Sequence, residues 1–140
     1  MNVRIGQRDR EHVVIDVQGG LAPGDDYEWL SCEISVKAGA WSGVYPAELR
    51  APDLPMFREQ LERLQRDPTA NVMFDTPEGQ LRLQLKGDRH GHIRVHGTAR
   101  DMAGTGNQLA FEFEIDQSYL PEVIGELKLI EQKFPAHGLR

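Results

Sequence analysis

Residues 108–134, QLAFEFEIDQSYLPEVIGELKLIEQKF, change from one hydrophobic periodicity to another within a single stretch. Phe111, Phe113 and Ile115 alternate with polar residues, which is the pattern of a strand with one buried face. Further along, apolar residues recur at the spacing of one helix face. They are Leu120, Val123, Leu127, Ile130 and Phe134. The stretch therefore predicts a strand followed by a helix at about 118–134.

The chain shows the same order of strand and helix once before. Alternation over WSGVYPAEL places one set of residues on a single side, namely Trp41, Gly43, Tyr45, Ala47 and Leu49. Helical spacing follows in the residues Leu54, Phe57, Leu61 and Leu64. Asp53 is the predicted N-cap, because its carboxylate can accept a free N–H of the first turn. Pro55 fits that turn, and Asp67-Pro68 predicts where the helix ends.

The two strand–helix stretches superpose at a constant offset of 66 residues. The matching helix positions are Leu54-Pro55, Phe57, Leu61 and Leu64 with Leu120-Pro121, Val123, Leu127 and Ile130. Six further alternating segments lie at 3–5, 13–17, 29–39, 71–75, 80–87 and 92–100. We therefore expect an α+β fold with an about eight-stranded antiparallel β-sheet and two α-helices. The offset also raises the hypothesis of a duplicated ββββα unit, at 1–67 and 68–140, with coincidence between leucine-rich helices as the alternative.

Length and composition bound the classes of function. The 140 residues suit a single domain with one core. The net charge is −6, from 22 acidic and 16 basic residues, and no basic stripe is present, which argues against a nucleic acid partner. The same balance favours a basic protein partner. The first residues lack an apolar signal core and no run has the length of a membrane span, so we expect a cytoplasmic protein.

Three of the five histidines fall in RHGHIRVHG, residues 89–97. As a strand, this segment directs His92, Arg94 and His96 to one side and its apolar residues to the core, while His90 falls in the turn. His92 and His96 are then about 13 Å apart along the strand. One zinc ion bonded at about 2 Å cannot readily take both, and the arginine between them disfavours a cation further. The cluster therefore predicts an outward, partly basic row instead of a metal site.

The remaining polar residues also favour structural roles. No motif for an activated nucleophile, a zinc protease or a phosphate-binding loop occurs. Glu112 and Glu114 alternate with buried positions, which is typical of a solvated row, and the polar run Asp116–Tyr119 suits a strand-to-helix junction. The single cysteine, Cys32, excludes an internal disulfide and lies on the apolar face of 29–39. We therefore predict a protein that is not an enzyme and has no cofactor or metal.

Four segments together resemble one known family. They are WLSCEISVKAGAWSGVYPAEL (29–49), DLPMFREQLERL (53–64), LRLQLKGDRHGHIRVHG (81–97) and LAFEFEIDQSYL (109–120). In this order they are similar to the WapI-type immunity proteins of bacterial contact-dependent toxin systems, and to related uncharacterised bacterial domains. The resemblance covers nearly the whole chain. It implies a small cytoplasmic protein that binds a cognate toxin domain, often a nuclease, and blocks it without catalysis, but it supplies no contact residues for this chain.

Charge and loop position supply a hypothesis for those contacts. An acidic inhibitor can cover the basic, phosphate-binding cleft of a nuclease, and charge complementarity then speeds association. We expect the contact residues to be Asp25, Asp26, Tyr27, Glu28, Asp75 and Glu78.

Two alternatives to a toxin-binding protein stay open. One is a binding or scaffold domain with a ligand groove on the sheet, lined by Trp29, Trp41 and Tyr45; packing in the core or at the sheet edge is the structural role expected of these aromatic residues. The other is an enzyme that uses His92 or His96 as its base.

Overall fold

The computed structural model describes residues 1–20 and 29–136. Its strands are β1 (Asn2–Gly6), β2 (His12–Gly20), β3 (Trp29–Ala38), β4 (Trp41–Arg50), β5 (Asn71–Asp75), β6 (Leu81–Gly87), β7 (His92–Arg100) and β8 (Gln108–Asp116). Its helices are α1 (Asp53–Arg66), between β4 and β5, and α2 (Leu120–Lys133), which follows β8 and a short 3₁₀ turn. Each half of the described chain thus has four strands followed by a helix.

The strands form two antiparallel four-stranded sheets, in the orders β1-β2-β3-β4 and β5-β6-β7-β8. We call them the first sheet and the second sheet. This arrangement confirms the predicted α+β class with eight antiparallel strands and two helices, and it divides the strands equally between two sheets. That 1–140 is a single domain, and that 1–67 and 68–140 arose by duplication, stay predictions.

Alternation decides which face of each sheet is buried. The apolar residues of β3 are at most 3% exposed, and they are Leu30, Cys32, Ile34 and Val36. The predicted apolar faces of the helices are buried too, at Leu54, Phe57, Leu61, Leu64, Leu120, Val123, Leu127 and Ile130. Residues of both sheets and both helices join one hydrophobic cluster, against which Phe134 packs partly buried. Opposite this core, each sheet presents an outward face of mostly polar side chains.

Each helix packs beside the first strand of the other half, α1 against β5 and α2 against β1. The Gln60 amide of α1 donates to the Met73 carbonyl at 2.8 Å and accepts the Met73 N–H at 2.8 Å. In α2, a Glu126 carboxylate oxygen accepts the Arg4 N–H at 3.0 Å. Gln60 and Glu126 are 66 residues apart, so matched helix positions satisfy backbone groups at the outer edges of β5 and β1. An exposed sheet edge would otherwise leave these groups free to pair with another chain.

The start of α1 differs from its prediction. Asp53 is the first helical residue, the cap position belongs to Pro52, and no side chain caps the free N–H groups. The Asp53 carboxylate instead accepts the backbone N–H of Arg50 at 3.0 Å and lies 3.5 Å from its guanidinium. The prediction of Asp53 as N-cap is therefore wrong, because this carboxylate reaches back to β4. Pro55 lies in the first turn and the helix ends before Asp67, as predicted.

The two sheets fill corresponding places in the core differently. In the second sheet Gly97 lies opposite Phe111, and a Cβ atom on Gly97 would overlap the Phe111 ring. In the first sheet the matching pair is Ile34 opposite Tyr45, which is 66 residues before Phe111. The Tyr45 hydroxyl donates to the carbonyl of Gln80 at 2.6 Å, a contact that joins the two halves. Gly97 is therefore required by the aromatic ring that crosses β7.

Candidate functional site

The outward side of β7 carries the predicted histidine row. His92, Arg94 and His96 are exposed, while Ile93 and Val95 between them are buried, as expected. Within the ranges 1–20 and 29–136, no group of three or more His, Cys, Asp or Glu side chains is placed to hold a metal ion.

The same face of the second sheet is charge-balanced. Glu112 lies opposite His96 and Glu114 opposite Arg94 in the β7–β8 register. The His96 ring nitrogen is 3.3 Å from a Glu112 carboxylate oxygen, and the Arg94 guanidinium is 3.8 Å and 4.0 Å from oxygens of Glu112 and Glu114. Both glutamates are exposed, as predicted. Pairs in this setting each contribute about 0–1 kcal/mol, so their main effect is to leave little net charge on the face.

Two aspartates near the histidines shape turns of the backbone. One Asp88 oxygen accepts the N–H groups of His90 at 2.7 Å and His92 at 3.0 Å, and these bonds hold the pKa of Asp88 below its usual range. Asp116 accepts the Ser118 N–H at 2.8 Å, which lowers the pKa of Asp116 in the same way. A general base works best with a pKa near the operating pH, so both carboxylates suit structure better than proton transfer.

The predicted contact residues fall in two places. Asp25, Asp26, Tyr27 and Glu28 lie outside the described residues. Asp75 ends β5 and lies 3.1 Å from the Arg82 guanidinium, and Glu78 is exposed in the following turn.

Asp75 also lies near the start of α1. Burial raises the pKa of Asp53 first, and the Asp75 charge raises it further. Asp53 bonds to Arg50, which pairs across the sheet with Trp29, the first residue of β3. Asp75 is therefore at the end of the first sheet to which the chain between Gly20 and Trp29 is attached.

The three aromatic residues suggested for a ligand groove are not brought together. Trp29 and Trp41 lie at opposite ends of the β3–β4 hairpin, about 30 Å apart along the strands. Tyr45 is buried, as expected of core packing, whereas Trp41 lies on the edge strand β4 and is 68% exposed, so it does not pack in the core. A groove of about 190 Å³ beside Tyr45 has Gly43 and Leu109 among its walls, and neither tryptophan lines it.

Cys32 is a core residue, as the sequence predicts. Its side chain is 1% exposed, and its Sγ donates to the Ala47 carbonyl at 3.3 Å. Burial, with smaller contributions from the charges of Glu48 and Asp16, raises the pKa of the Cys32 thiol to about 12. Because the thiolate is the reactive form, this thiol is inert near neutral pH.

The outward face of the first sheet contains acidic residues that the sequence reading missed. Asp16 lies directly opposite Glu33, and Glu48 is on the neighbouring strand β4, opposite Ser31. The sequence signal was present, because all three alternate with apolar core positions. Their proximity became visible only with the register of β2, β3 and β4.

No helix in the described part of the chain is both long and apolar enough to cross a membrane.

Comparisons with known proteins give a family and a fold. Residues 4–135 match the model of the immunity protein WapI-like family. A search of curated proteins finds no significant match. Among solved structures, the chain resembles one described as Trypanosoma bruciei MRP1/MRP2, with 9% identity, a TM-score of 0.50, and coverage of 96% of this chain and 85% of that one. At that identity the likeness shows the fold alone.

A second structural neighbour is a chain of the CdiA-CT/CdiI toxin and immunity complex from Enterobacter cloacae. It has 11% identity and a TM-score of 0.45, with 82% of this chain and 97% of that chain covered.

Proposed function

Because the chain belongs to the WapI-like immunity protein family, we propose that it binds a cognate toxin domain and neutralises it without catalysis of its own. The match over residues 4–135 is the observation that carries this proposal, since it spans both sheets and both helices. The use of polar groups supports it. The carboxylates of Asp53, Asp88 and Asp116 accept backbone N–H groups and the histidine row pairs across strands, which are structural roles.

We place the protein in the cytoplasm and its partner among basic nucleases. The net charge of −6 supports this, because an acidic surface is complementary to a cleft that binds phosphates. We keep Asp25, Asp26, Tyr27 and Glu28, with Asp75 and Glu78, as the proposed contact residues.

Co-expression with the C-terminal domain of the protein that the neighbouring gene encodes, as the candidate toxin domain, tests the function. We expect the two proteins to co-purify, and the chain to restore growth of cells that the toxin domain alone would kill. A toxin domain from an unrelated system is the control, and this chain should not inhibit it. Full toxicity and no complex with the cognate domain would contradict the proposal.

Charge reversal at Asp25, Asp26 and Glu28 tests the loop separately. We expect slower association with the toxin domain and a weaker dependence of that rate on salt, because exposed interface charges act mainly on the encounter step. Stopped-flow binding at several ionic strengths measures both. Unchanged rates would remove the loop from the interface.

A further inference from the structure

The outward face of the first sheet is an unpartnered surface with an apolar centre. Val44 on β4 is 64% exposed, and Pro46 beside it is exposed as well. Val14 lies in line with Val44 across the sheet, separated from it only by Ser35, and is partly exposed. Soluble proteins rarely group apolar side chains on a sheet face without a use for them, and interfaces commonly place such residues at the centre of a polar rim.

Carboxylates border this centre and oppose one another. Asp16 and Glu33 face each other directly, and Glu48 is diagonal to Glu33, which corresponds to about 7–8 Å between their backbones. Like charges directly opposite on a sheet destabilise it.

This face also carries two cations, Arg4 opposite Val14 and Lys37 opposite Ser42, but among the described residues neither forms an ion pair with the three carboxylates. The amine of Met1 is 3.4 Å from Asp16, and among the described residues neither Glu33 nor Glu48 has an ion pair. Arg50, two residues beyond Glu48, is hydrogen-bonded to Asp53. The three carboxylates therefore form a locally negative cluster beside the apolar centre, with a cationic partner only at Asp16 among the described residues.

The second sheet shows that the fold does not require this. Glu114 matches Glu48 at the offset of 66, and the residue opposite Glu114 is Arg94, whereas the residue opposite Glu48 is Ser31. The two sheets have the same topology, yet the second gives Glu114 a cationic partner across the strands and the first gives Glu33 and Glu48 none among the described residues. The negative charge of the first sheet is thus a property of its sequence at a few surface positions.

We propose that the outward face of the first sheet, comprising Val14, Asp16, Glu33, Val44, Pro46 and Glu48, docks a basic surface of the toxin domain. The inference rests on the proposed function and names the binding face. Charge complementarity selects the occupant: nucleic acid is repelled, and a second copy of this chain would present the same carboxylates to this face.

Matched neutralisation of the two sheets tests the docking face. The first variant is E33Q/E48Q and its control is E112Q/E114Q, which removes the same number of charges from the second sheet. Titration calorimetry of each variant against the same candidate toxin domain measures affinity. We expect E33Q/E48Q to weaken binding by about tenfold or more, and the control to stay within about twofold of wild type. E33K/E48K should weaken binding further.

Stability separates a lost contact from a damaged fold. Removing like-charge repulsion should leave E33Q/E48Q at least as heat-stable as wild type, while E112Q/E114Q loses its cross-strand pairs and melts slightly lower. Weaker binding by the more stable variant cannot then come from unfolding.

The outcomes distinguish the face from the function. If wild type binds and inhibits the toxin domain but E33Q/E48Q does so equally well, the docking face is wrong and the proposed function stands. Equal losses in both variants would mean long-range charge without a docking face, and would overturn the inference. If wild type sediments as a dimer whose dissociation constant changes in E33Q/E48Q and not in E112Q/E114Q, the occupant is a second copy and the inference is wrong. Wild type without affinity for the toxin domain overturns the proposed function itself.

Discussion

The outward faces of the two sheets differ in the residues that lie opposite their carboxylates. On the second sheet, Arg94 lies opposite Glu114 and within 4.0 Å of it, and His96 pairs with Glu112. On the first, Glu33 lies opposite another carboxylate and Glu48 opposite a serine. Since strand order and orientation are the same in both, topology does not determine this difference.

The contrast indicates which sheet leaves stabilising charge pairs to be formed with a binding partner. Exposed cross-strand pairs of opposite charge add about 0.2–1 kcal/mol each, and a face of like charges forgoes this contribution. A partner with basic residues can supply the missing counter-charges, which gives specificity and speeds association. The second sheet stabilises itself, whereas the first is completed by another molecule under the inference drawn above.

The largest effect on stability is predicted for Gly97, on the inner face of the second sheet. We expect Gly97→Ala to lower the free energy of unfolding by about 1–3 kcal/mol, because the new Cβ overlaps the Phe111 ring. Alanine also restricts the unfolded chain, which favours the folded state by about 0.4–1 kcal/mol and offsets part of the cost of the overlap. Urea unfolding followed by circular dichroism measures the change.

A double mutant identifies the ring as the cause. Phe111→Leu removes the overlapping atoms, so Gly97→Ala should cost less in that background than in wild type. The matched position in the first sheet is Ile34, where Ile34→Val removes one methylene without any overlap and should cost about 0.5–1.5 kcal/mol. Additive costs of Gly97→Ala and Phe111→Leu would show that the ring is not what fixes Gly97.

Most of the fold was predictable because it depends on local periodicity. Alternation located all eight strands, and helical spacing located both helices, since burial of one face fixes each pattern. The error at Asp53 has a physical reason: a carboxylate at a helix start can bond forward into the helix or back to the preceding strand, and the contact with Arg50 is not visible in sequence. Trp41 was misplaced because alternation gives the side of a strand to which a residue points but not whether other residues cover it, and Trp41 is 68% exposed.

The contact between each helix and the opposite sheet edge gives a second, intermediate prediction. Gln60 both donates to and accepts from the backbone of Met73, whereas Glu126 at the matched position only accepts from Arg4. We expect Glu126→Gln to raise the free energy of unfolding by about 0.5–1.5 kcal/mol at pH 7, because an amide avoids burying a charge and can also donate. The reverse change, Gln60→Glu, should destabilise, since the Met73 carbonyl loses its donor.

The pH dependence of this effect follows from the pKa of Glu126. Burial raises that pKa in the folded protein, with the hydrogen bond from Arg4 opposing the shift. Between the usual glutamate pKa and the raised value, the folded state therefore holds a proton that the unfolded chain has released. Wild-type stability falls as pH rises through this range. The advantage of Glu126→Gln should be full above the raised pKa, shrink as pH falls from that value to the usual glutamate pKa, and be smallest below it. An advantage that is equal at pH 3.5 and pH 7 would contradict this cause.

The candidate site was less predictable than the fold because it depends on register. The sequence placed His92, Arg94 and His96 on an outward row, since one strand suffices for that inference. It did not group Asp16 with Glu33, because their proximity requires the pairing of β2 with β3. Cross-strand neighbours are set by hairpin geometry, which residue spacing alone leaves open.

The smallest predicted effect is also the sharpest test of the contrast between the faces. Ser31→Arg gives Glu48 the partner that Arg94 gives Glu114, so we expect the free energy of unfolding to rise by about 0.2–1 kcal/mol. The same substitution adds positive charge to the proposed docking face, so affinity for the toxin domain should fall. Thermal unfolding and calorimetric titration measure the two effects.

The matched change in the second sheet is Arg94→Ser, which should lower stability by less than about 1 kcal/mol and leave toxin affinity unchanged. If Glu48 had only a structural role, Ser31→Arg would change stability and leave toxin affinity unchanged. Under the inference, Ser31→Arg raises stability and lowers toxin affinity, whereas Arg94→Ser changes stability alone. That combination would show that the first sheet binds the toxin domain through its unpaired carboxylates. Tighter toxin binding by Ser31→Arg would assign that role to a different surface.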